Sequence, residues 1–297
     1  MISRLLGLTA GFLFAVSSTL VRMGLEYSTP LKAVFVTILV NVLLVGSAAL
    51  MVGPPSSLDP TAVALFALAG VFAPAAAMLL SFLGISKLGV VVNQPILNLH
   101  PLFAVVFAFF MLHERVPPIV YASVLLIAVG MLMLTHQGRA AAAPIGALKR
   151  RFIALPLAAA LFIGLSHNLR RLGLLSFNAP VFGAFVNLLA SLALASLVLL
   201  LAARRPKLGW GALKVRRPSS GTSLFMLSGA ASGVGQLLTF LAYSFGQVTL
   251  VAPLISLEPF FVVLISYFFL KGYEVITRSR LAGIALLLSG VWLIMTS

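Results

Sequence analysis

Apolar residues fall in runs of about 20, separated by short stretches of proline, glycine and charge. Ten runs stand out: 5–25, 31–52, 61–85, 90–112, 117–136, 153–174, 180–202, 222–246, 248–270 and 278–296. The breaks read "GPPSSLDP" (53–60), "HERVPP" (113–118), "HQGRAAAAPIGALKRR" (136–151), "RRPKLGWGALKVRRPSSG" (204–221) and "KGYEVITRSR" (271–280), all turn formers or charge. The junctions near 87–89 and 246–248 are short and almost uncharged. A helix crosses a hydrocarbon layer of ~30 Å in about 20 residues, whereas barrel strands alternate over about 10. The pattern predicts ten transmembrane helices and leaves no stretch for a soluble domain.

Composition places these helices in a membrane. Of 297 residues, 61% are hydrophobic and 8% charged, against about 45–50% and about 25% in soluble domains. No soluble core hides that much apolar surface, so the chain is an integral membrane protein. The start, "MISRLLGLTAGFLFAVSSTL", has the basic end and apolar run of a signal peptide. An equivalent segment recurs in mid-chain, so it is read as the first span. Cysteine is absent, which excludes disulfides and thiolate metal sites and leaves the redox compartment open.

The net charge of +15 would suggest nucleic acid if its distribution were ignored. With spans alternating, Arg4, Arg115, Arg170 and Arg171 fall on the side of the termini, and the other sixteen Lys and Arg fall opposite. The bias of basic loops toward the cytoplasm then predicts both termini outside. The basic 204–217 loop is read as a topology signal attracted to anionic lipid, with no nucleic-acid partner.

The chain repeats itself. "QPILNLHP" (94–101) aligns with "APLISLEP" (252–259), and "HPLFAVVFAFFMLHE" (100–114) with "EPFFVVLISYFFLKGYE" (258–274). "YASVLLIAVGML" (121–132) aligns with "LAGIALLLSGVW" (281–292) at offset 160, and "SSTLVRMGL" (17–25) with "SHNLRRLGL" (166–174) at offset 149. The expected organisation is a five-helix repeat (1–136), a basic linker (137–151) and a second repeat (152–297). Five is odd, so the copies enter the membrane from opposite sides. Inverted repeats of this kind give secondary transporters two pseudo-equivalent states, with the site near the midplane.

In these features the sequence resembles the drug/metabolite transporter superfamily, specifically its ten-helix EamA-type members. The resemblance rests on Pro101 to Glu114 followed by Gly130, and Pro259 to Glu274 followed by Gly283 and Gly290. It implies export of amino acids, other metabolites or drugs. Phe14 and Ile163 depart from the resemblance, standing in a region where such relatives often carry Trp. The charge bias departs from it too, because such relatives often keep both termini in the cytoplasm.

His100 and Glu258 are each the eleventh residue of a 23-residue span, ~15 Å deep at 1.5 Å per residue. An ionisable group there costs at least ~2.5–3.5 kcal/mol to insert if charged, and is by default a functional candidate. The alternative is a packed group that satisfies the carbonyls Pro101 and Pro259 free near positions 97 and 255. Asn93, Gln94, Asn98 and His100 share an arc of the fourth helix. Ser228, Ser232, Gly235, Gln236, Thr239 and Tyr243 share a narrower one in the eighth, where Gly229 and Gly233 equally suit close helix packing. His167 and Asn168, equivalent to Ser18 and Thr19, are cavity candidates beside two arginines. Arg22 and Arg171 are read as snorkelling anchors, Glu114 and Glu274 as structural, and Asn41 and Asn187 as interhelical hydrogen-bond partners. The candidate substrate-binding set is therefore Gln94, Asn98, His100, His167, Gln236, Tyr243 and Glu258.

No enzyme signature is found. His113-Glu114 lacks the second zincin histidine, and there is no P-loop or nucleophile elbow, so no cofactor or metal is expected and energy would come from a gradient. The expectation is a monomeric multi-pass protein of a bacterial inner (plasma) membrane, surrounded by lipid, moving a small molecule by alternating access, with protons as a candidate co-substrate. Amino acids lead through the resemblance, with Glu258 either coupling protons or holding the amino group. Cationic drugs are one rival substrate, and a non-transporting scaffold or lipid-handling role built on the 204–217 loop is another reading.

Overall fold

The computed structural model describes residues 1–53, 55, 57–135, 151–204, 218–269 and 278–297. Glu274, the 204–217 loop beyond Arg204, and the 137–151 linker before Arg151 lie outside the described residues.

Among the described residues the protein is all helix, without strands. The first helices are α1 (Ile2–Leu25), α2 (Pro30–Val52) and α3 (Pro60–Gly70). Proline opens α2 and α3, where its missing N–H is no loss. The Thr29 and Asp59 side chains accept from the Lys32 and Thr61 amides just inside, satisfying donors the helix itself cannot. After a π turn (Val71–Ala76) come α4 (Ala77–Leu88), α5 (Val90–Leu97), α6 (His100–Met111) and α7 (Pro118–Thr135). The second half holds α8 (Ala154–Ser176), α9 (Pro180–Arg204), α10 (Pro218–Phe245), α11 (Val248–Ile255), α12 (Glu258–Phe269) and α13 (Arg278–Thr296). Among the described residues, eight segments are long and apolar enough to cross a membrane; two shorter apolar helices, Pro118–Leu134 and Leu281–Thr296, occupy matching places late in each half.

Three of the expected spans are not single helices. The 61–85 run bends where Ala73 is extended (φ −147, ψ 134) and Pro74 offers no N–H to the ladder. The 90–112 run breaks at Asn98 and Leu99, and the 248–270 run at Ser256 and Leu257. The cause is the one read from sequence. Pro101 and Pro259 leave the carbonyls of Leu97 and Ile255 without a donor four residues on, and α5 and α11 end at those residues. Tight turns then carry the backbone across: Leu99 N–H donates to Ile96 O (3.1 Å), and Leu257 N–H donates to Leu254 O (3.3 Å).

The two halves are inverted copies, and the packing shows it contact by contact. A Cβ on Gly130 would lie 2.7 Å from Gly283 O and 2.9 Å from Leu287 N. One on Gly290 would lie 2.8 Å from Ser123 O and 3.2 Å from Ile127 N. Offset 160 turns the first set into the second. Since an early residue of α7 meets a late one of α13 and the reverse, these mates run antiparallel. The operation that exchanges the halves is therefore a twofold axis across the helices, in the membrane plane. Other contacts obey it: Gly24 abuts Phe225 as Gly173 abuts Phe66. Ser17 hydrogen-bonds Ser228 (2.7 Å) where its mate Ser166 donates to Ala69 O (2.9 Å).

A main buried cluster includes Phe66, Leu188, Phe240 and Tyr243, and a second joins α7, α11 and α13 through Ile127, Met131, Leu254 and Leu287. Leu50, Phe110, Phe268 and Trp292 are exposed, as a surface solvated by lipid tails permits.

The α7–α13 contact makes a test. Gly130→Ala must push the two backbones apart, costing about 1–3 kcal/mol, and should lower the melting temperature of the detergent-solubilised protein. Ala122→Ser, on the exposed side of α7, should leave it unchanged.

Candidate functional site

Four spans converge on one buried polar cluster. α8 contributes His167 and Arg170, one turn apart on a single face. α10 contributes Gln236, Phe240 and Tyr243, stacked along its length at intervals of four and three. The bend after α3 contributes the Ala73 carbonyl, and the break before α6 contributes His100.

Arg170 is 3% exposed. Its Nη1 donates to Gln236 Oε1 and its Nη2 to Ala73 O, both at 2.9 Å. The guanidinium lies 5.3 Å from the Phe240 ring centroid, within cation–π range. Ser166 also reaches Ala73 O, at 3.3 Å, so the carbonyl exposed by the extended Ala73 gains two donors from α8. Irregular backbone at membrane depth is tolerated on this condition. The His100 and His167 rings are 6.1 Å apart, and His167 stands edge-on to Tyr243 at 5.5 Å. Among the described residues, His100 Nδ1, both ring nitrogens of His167, Arg170 Nε and the Tyr243 hydroxyl are buried without a hydrogen-bond partner.

Of the residues singled out from sequence, the structure brings His100, His167, Gln236 and Tyr243 together. It does not bring Gln94, Asn98 or Glu258 into that group. Gln94 accepts from Asn93 (3.5 Å), which also donates to Ser81 on α4 (3.1 Å). Asn98 sits in the break, its Nδ2 unpartnered. The arc drawn through all four polar residues of this span assumed one continuous helix, and the break removes His100 from that wheel. Glu258, partly exposed at the start of α12, stands beside the Ser18 hydroxyl, which donates to Ala15 O (3.2 Å). Ser18 is the mate of His167 and Glu258 the mate of His100, so the second break carries the counterpart of the histidine pair.

The eighth span divides its polar stripe. Ser232 bonds Asn41 Oδ1 (2.9 Å), and Gly229 abuts Val40. These are packing contacts, and they confirm Asn41 as an interhelical partner. Asn187 likewise donates to Phe66 O (3.2 Å), and Asn168 to Ala104 O (3.0 Å). Phe14 and Ile163 are packed residues, against Gly235 and the Ala73–Ala77–Ala159 cluster.

Arg170 is the residue sequence reasoning missed. It was counted with the loop charges, yet α8 continues to Ser176, leaving Arg170 about 9 Å inside the helix end. A signal was available: at offset 149 its mate is Val21, so only one half carries the charge. Arg171 differs too, because its Nη1 donates to Tyr243 O, tying α8 to α10 rather than snorkelling.

Glu114 is structural, as expected, in a specific way. Its Oε1 accepts from Val248 N–H and its Oε2 from Thr249 N–H, both at 2.9 Å, and Thr249 Oγ1 donates to Oε2. Gln247 gives α11 no side-chain cap; a carboxylate from the end of the fourth span supplies one, with the favourable sign for a helix start. A separate apolar cavity of about 860 Å³ lies between α2 and α9, lined by Val42, Gly46, Leu50, Phe182 and Phe185 among others. It touches none of the polar cluster.

The chain matches the EamA-like transporter family over residues 1–136 and 151–296. It is similar to a protein of known crystal structure, with a TM-score of 0.80 over 99% of this chain and 98% of that one. Their identity is 18%, so this likeness shows the fold alone. No curated protein matches the chain.

Removing the Glu114 carboxylate should uncap α11. Glu114→Ala is expected to cost at least about 1.5 kcal/mol and to speed hydrogen exchange at the Val248 and Thr249 amides, read by mass spectrometry. Exchange at Asn98, across the symmetry axis, should not change.

Proposed function

This chain belongs to the EamA-like transporter family, and we propose that it carries a small metabolite across the membrane by alternating access, with amino acids as the leading substrate class. One observation carries the reading. Polar atoms of His100, His167, Arg170 and Tyr243 stand buried and unpartnered together, at the breaks and bends where the two halves meet. Buried polar groups are normally paired, and leaving them unpaired in an apolar surround is costly. A polar solute that occupies the cluster in turn would offset that cost.

The symmetry supports an amphoteric solute. Around the first break stand two imidazoles with an arginine beside them; around the second stand Ser18 and Glu258. One half-site is basic in character and the other acidic, in a frame that is otherwise equivalent. A zwitterion has one end for each. Glu258 then holds the amino group or exchanges a proton with the solute.

The two repeats, 1–136 and 152–297 with the 137–151 linker, are the rocking bodies of this mechanism, and a single chain contains both. With Arg170 in the interior, the basic residues divide sixteen to three, a bias that supports termini on the non-cytoplasmic side of a bacterial inner membrane.

The test is uptake of a labelled amino-acid mixture into proteoliposomes, with and without a pH gradient, against protein-free liposomes. Saturable uptake of one group is expected. Glu258→Gln should cut the flux at least about tenfold, a loss of ~1.4 kcal/mol of stabilisation, and flatten its response to the gradient. Wild-type flux and gradient response in Glu258→Gln would end the role given to that residue.

A further inference from the structure

We propose that Arg170 reads a carboxylate on the solute, so that the ligand of this site is a small organic anion or zwitterion rather than a cation. The inference rests on the transport reading and narrows its substrate.

Arg170 is among the described side chains with the least exposure, and both of its hydrogen bonds go to neutral oxygens, Gln236 Oε1 and Ala73 O. Among the described residues no carboxylate hydrogen-bonds it; both oxygens of Glu114 are taken by the Val248 and Thr249 amides. Burying a cation costs several kcal/mol unless an anion and good hydrogen bonds compensate. A structural donor to the Ala73 carbonyl need not carry a charge, since Ser166 also reaches that oxygen; Val21, the mate of Arg170, carries none, in a half whose α10 runs without such a bend. The frame needs a donor at this point, not a cation. The cation serves the site.

The geometry suits a carboxylate. Phe240 lies over one face of the guanidinium, and the N–H groups available to a ligand point outward along its edge. On that edge Nε is unpartnered, and each η nitrogen keeps a second proton beyond the one donated. A carboxylate accepting from Nε and an η nitrogen would make the charge-assisted fork that arginine forms and lysine cannot. The groups around it agree. His100, His167 and Tyr243 bring unpartnered polar atoms to the same place, and the Tyr243 hydroxyl is a donor for a second carboxylate lone pair. Among the described residues no carboxylate hydrogen-bonds a member of the cluster; Glu114, close enough to act on Tyr243 electrostatically, gives both its oxygens to the Val248 and Thr249 amides, so a cationic drug would find no free carboxylate beside the guanidinium.

The experiment compares acids with their amides. Purified full-length protein in detergent is titrated by calorimetry with the L-amino acids and linear monocarboxylates of three to six carbons, each beside its carboxamide. At least one acid should bind about tenfold to a hundredfold tighter than its amide, the range for a charge-assisted hydrogen bond. Arg170→Gln should erase that preference, and Arg170→Lys should restore only part of it. The acid-amide comparison needs no variant, so a poorly folding Arg170→Gln does not blunt it. Equal binding of acid and amide overturns the inference, as does an acid preference that survives in a monodisperse Arg170→Gln. Binding by no acid in the panel also overturns it. Lipophilic-cation flux in proteoliposomes would then leave the transport reading standing without it.

Discussion

The hydrogen bond from Arg170 to the carbonyl of Ala73 joins the two departures from regular helix on which this site depends. Where Ala73 turns extended, the third span exposes backbone that lipid cannot solvate. Where Arg170 lies, the sixth span buries a charge that lipid cannot solvate either. Each resolves part of the other's difficulty: the guanidinium satisfies the carbonyl, and the carbonyl orients the guanidinium toward Gln236 and the ring of Phe240. The bend, the charge and the polar face of α10 are one construction. His100 and His167 are held beside it by the break at Asn98 and by the close approach of α8 to α6, which Gly164 permits.

Inverted symmetry and local asymmetry do different work in this molecule. The symmetric contacts are mainly steric and apolar, such as Gly24 with Phe225 and Gly173 with Phe66, or the reciprocal glycines of α7 and α13, with the bonds of Ser17 and Ser166 the polar exception. They define the frame. The asymmetric positions are polar: Val21 against Arg170, Ser18 against His167, His100 against Glu258. A frame whose two halves are equivalent in shape is thus made chemically unequal by a handful of side chains. That division explains why the fold is shared with a protein only 18% identical while the site need not be.

Most of the architecture was legible because hydrophobic run length and internal offset are both one-dimensional quantities. Pro101 and Pro259 even located the carbonyls, at Leu97 and Ile255, at which α5 and α11 stop. What a helical wheel could not supply was the consequence of stopping, since it keeps every residue on one continuous surface. Gln94 and Asn98 were grouped with His100 for that reason. The bend at Ala73 left only Pro74 as a trace, and a backbone carbonyl has no letter in a sequence. Arg170 was visible but misfiled, because a charge next to Arg171 and near a predicted helix end looks like a loop residue until the helix is seen to run on to Ser176. Among the polar residues of the eighth span, sequence could not separate those that bind another helix, such as Ser232, from those that face the cluster, such as Gln236. Both belong to one stripe, and only the neighbours differ.

The clasp formed by Glu114 has a consequence for how this protein tolerates change over evolutionary time. On one side stands a single carboxylate; on the other stand mainly main-chain amides, which every residue but proline possesses. Drift at Val248 therefore leaves the joint between the fourth and ninth spans almost untouched, whereas drift at 114 removes it whole. The vulnerability of that joint is concentrated in one codon, and the partner segment is free to vary around it.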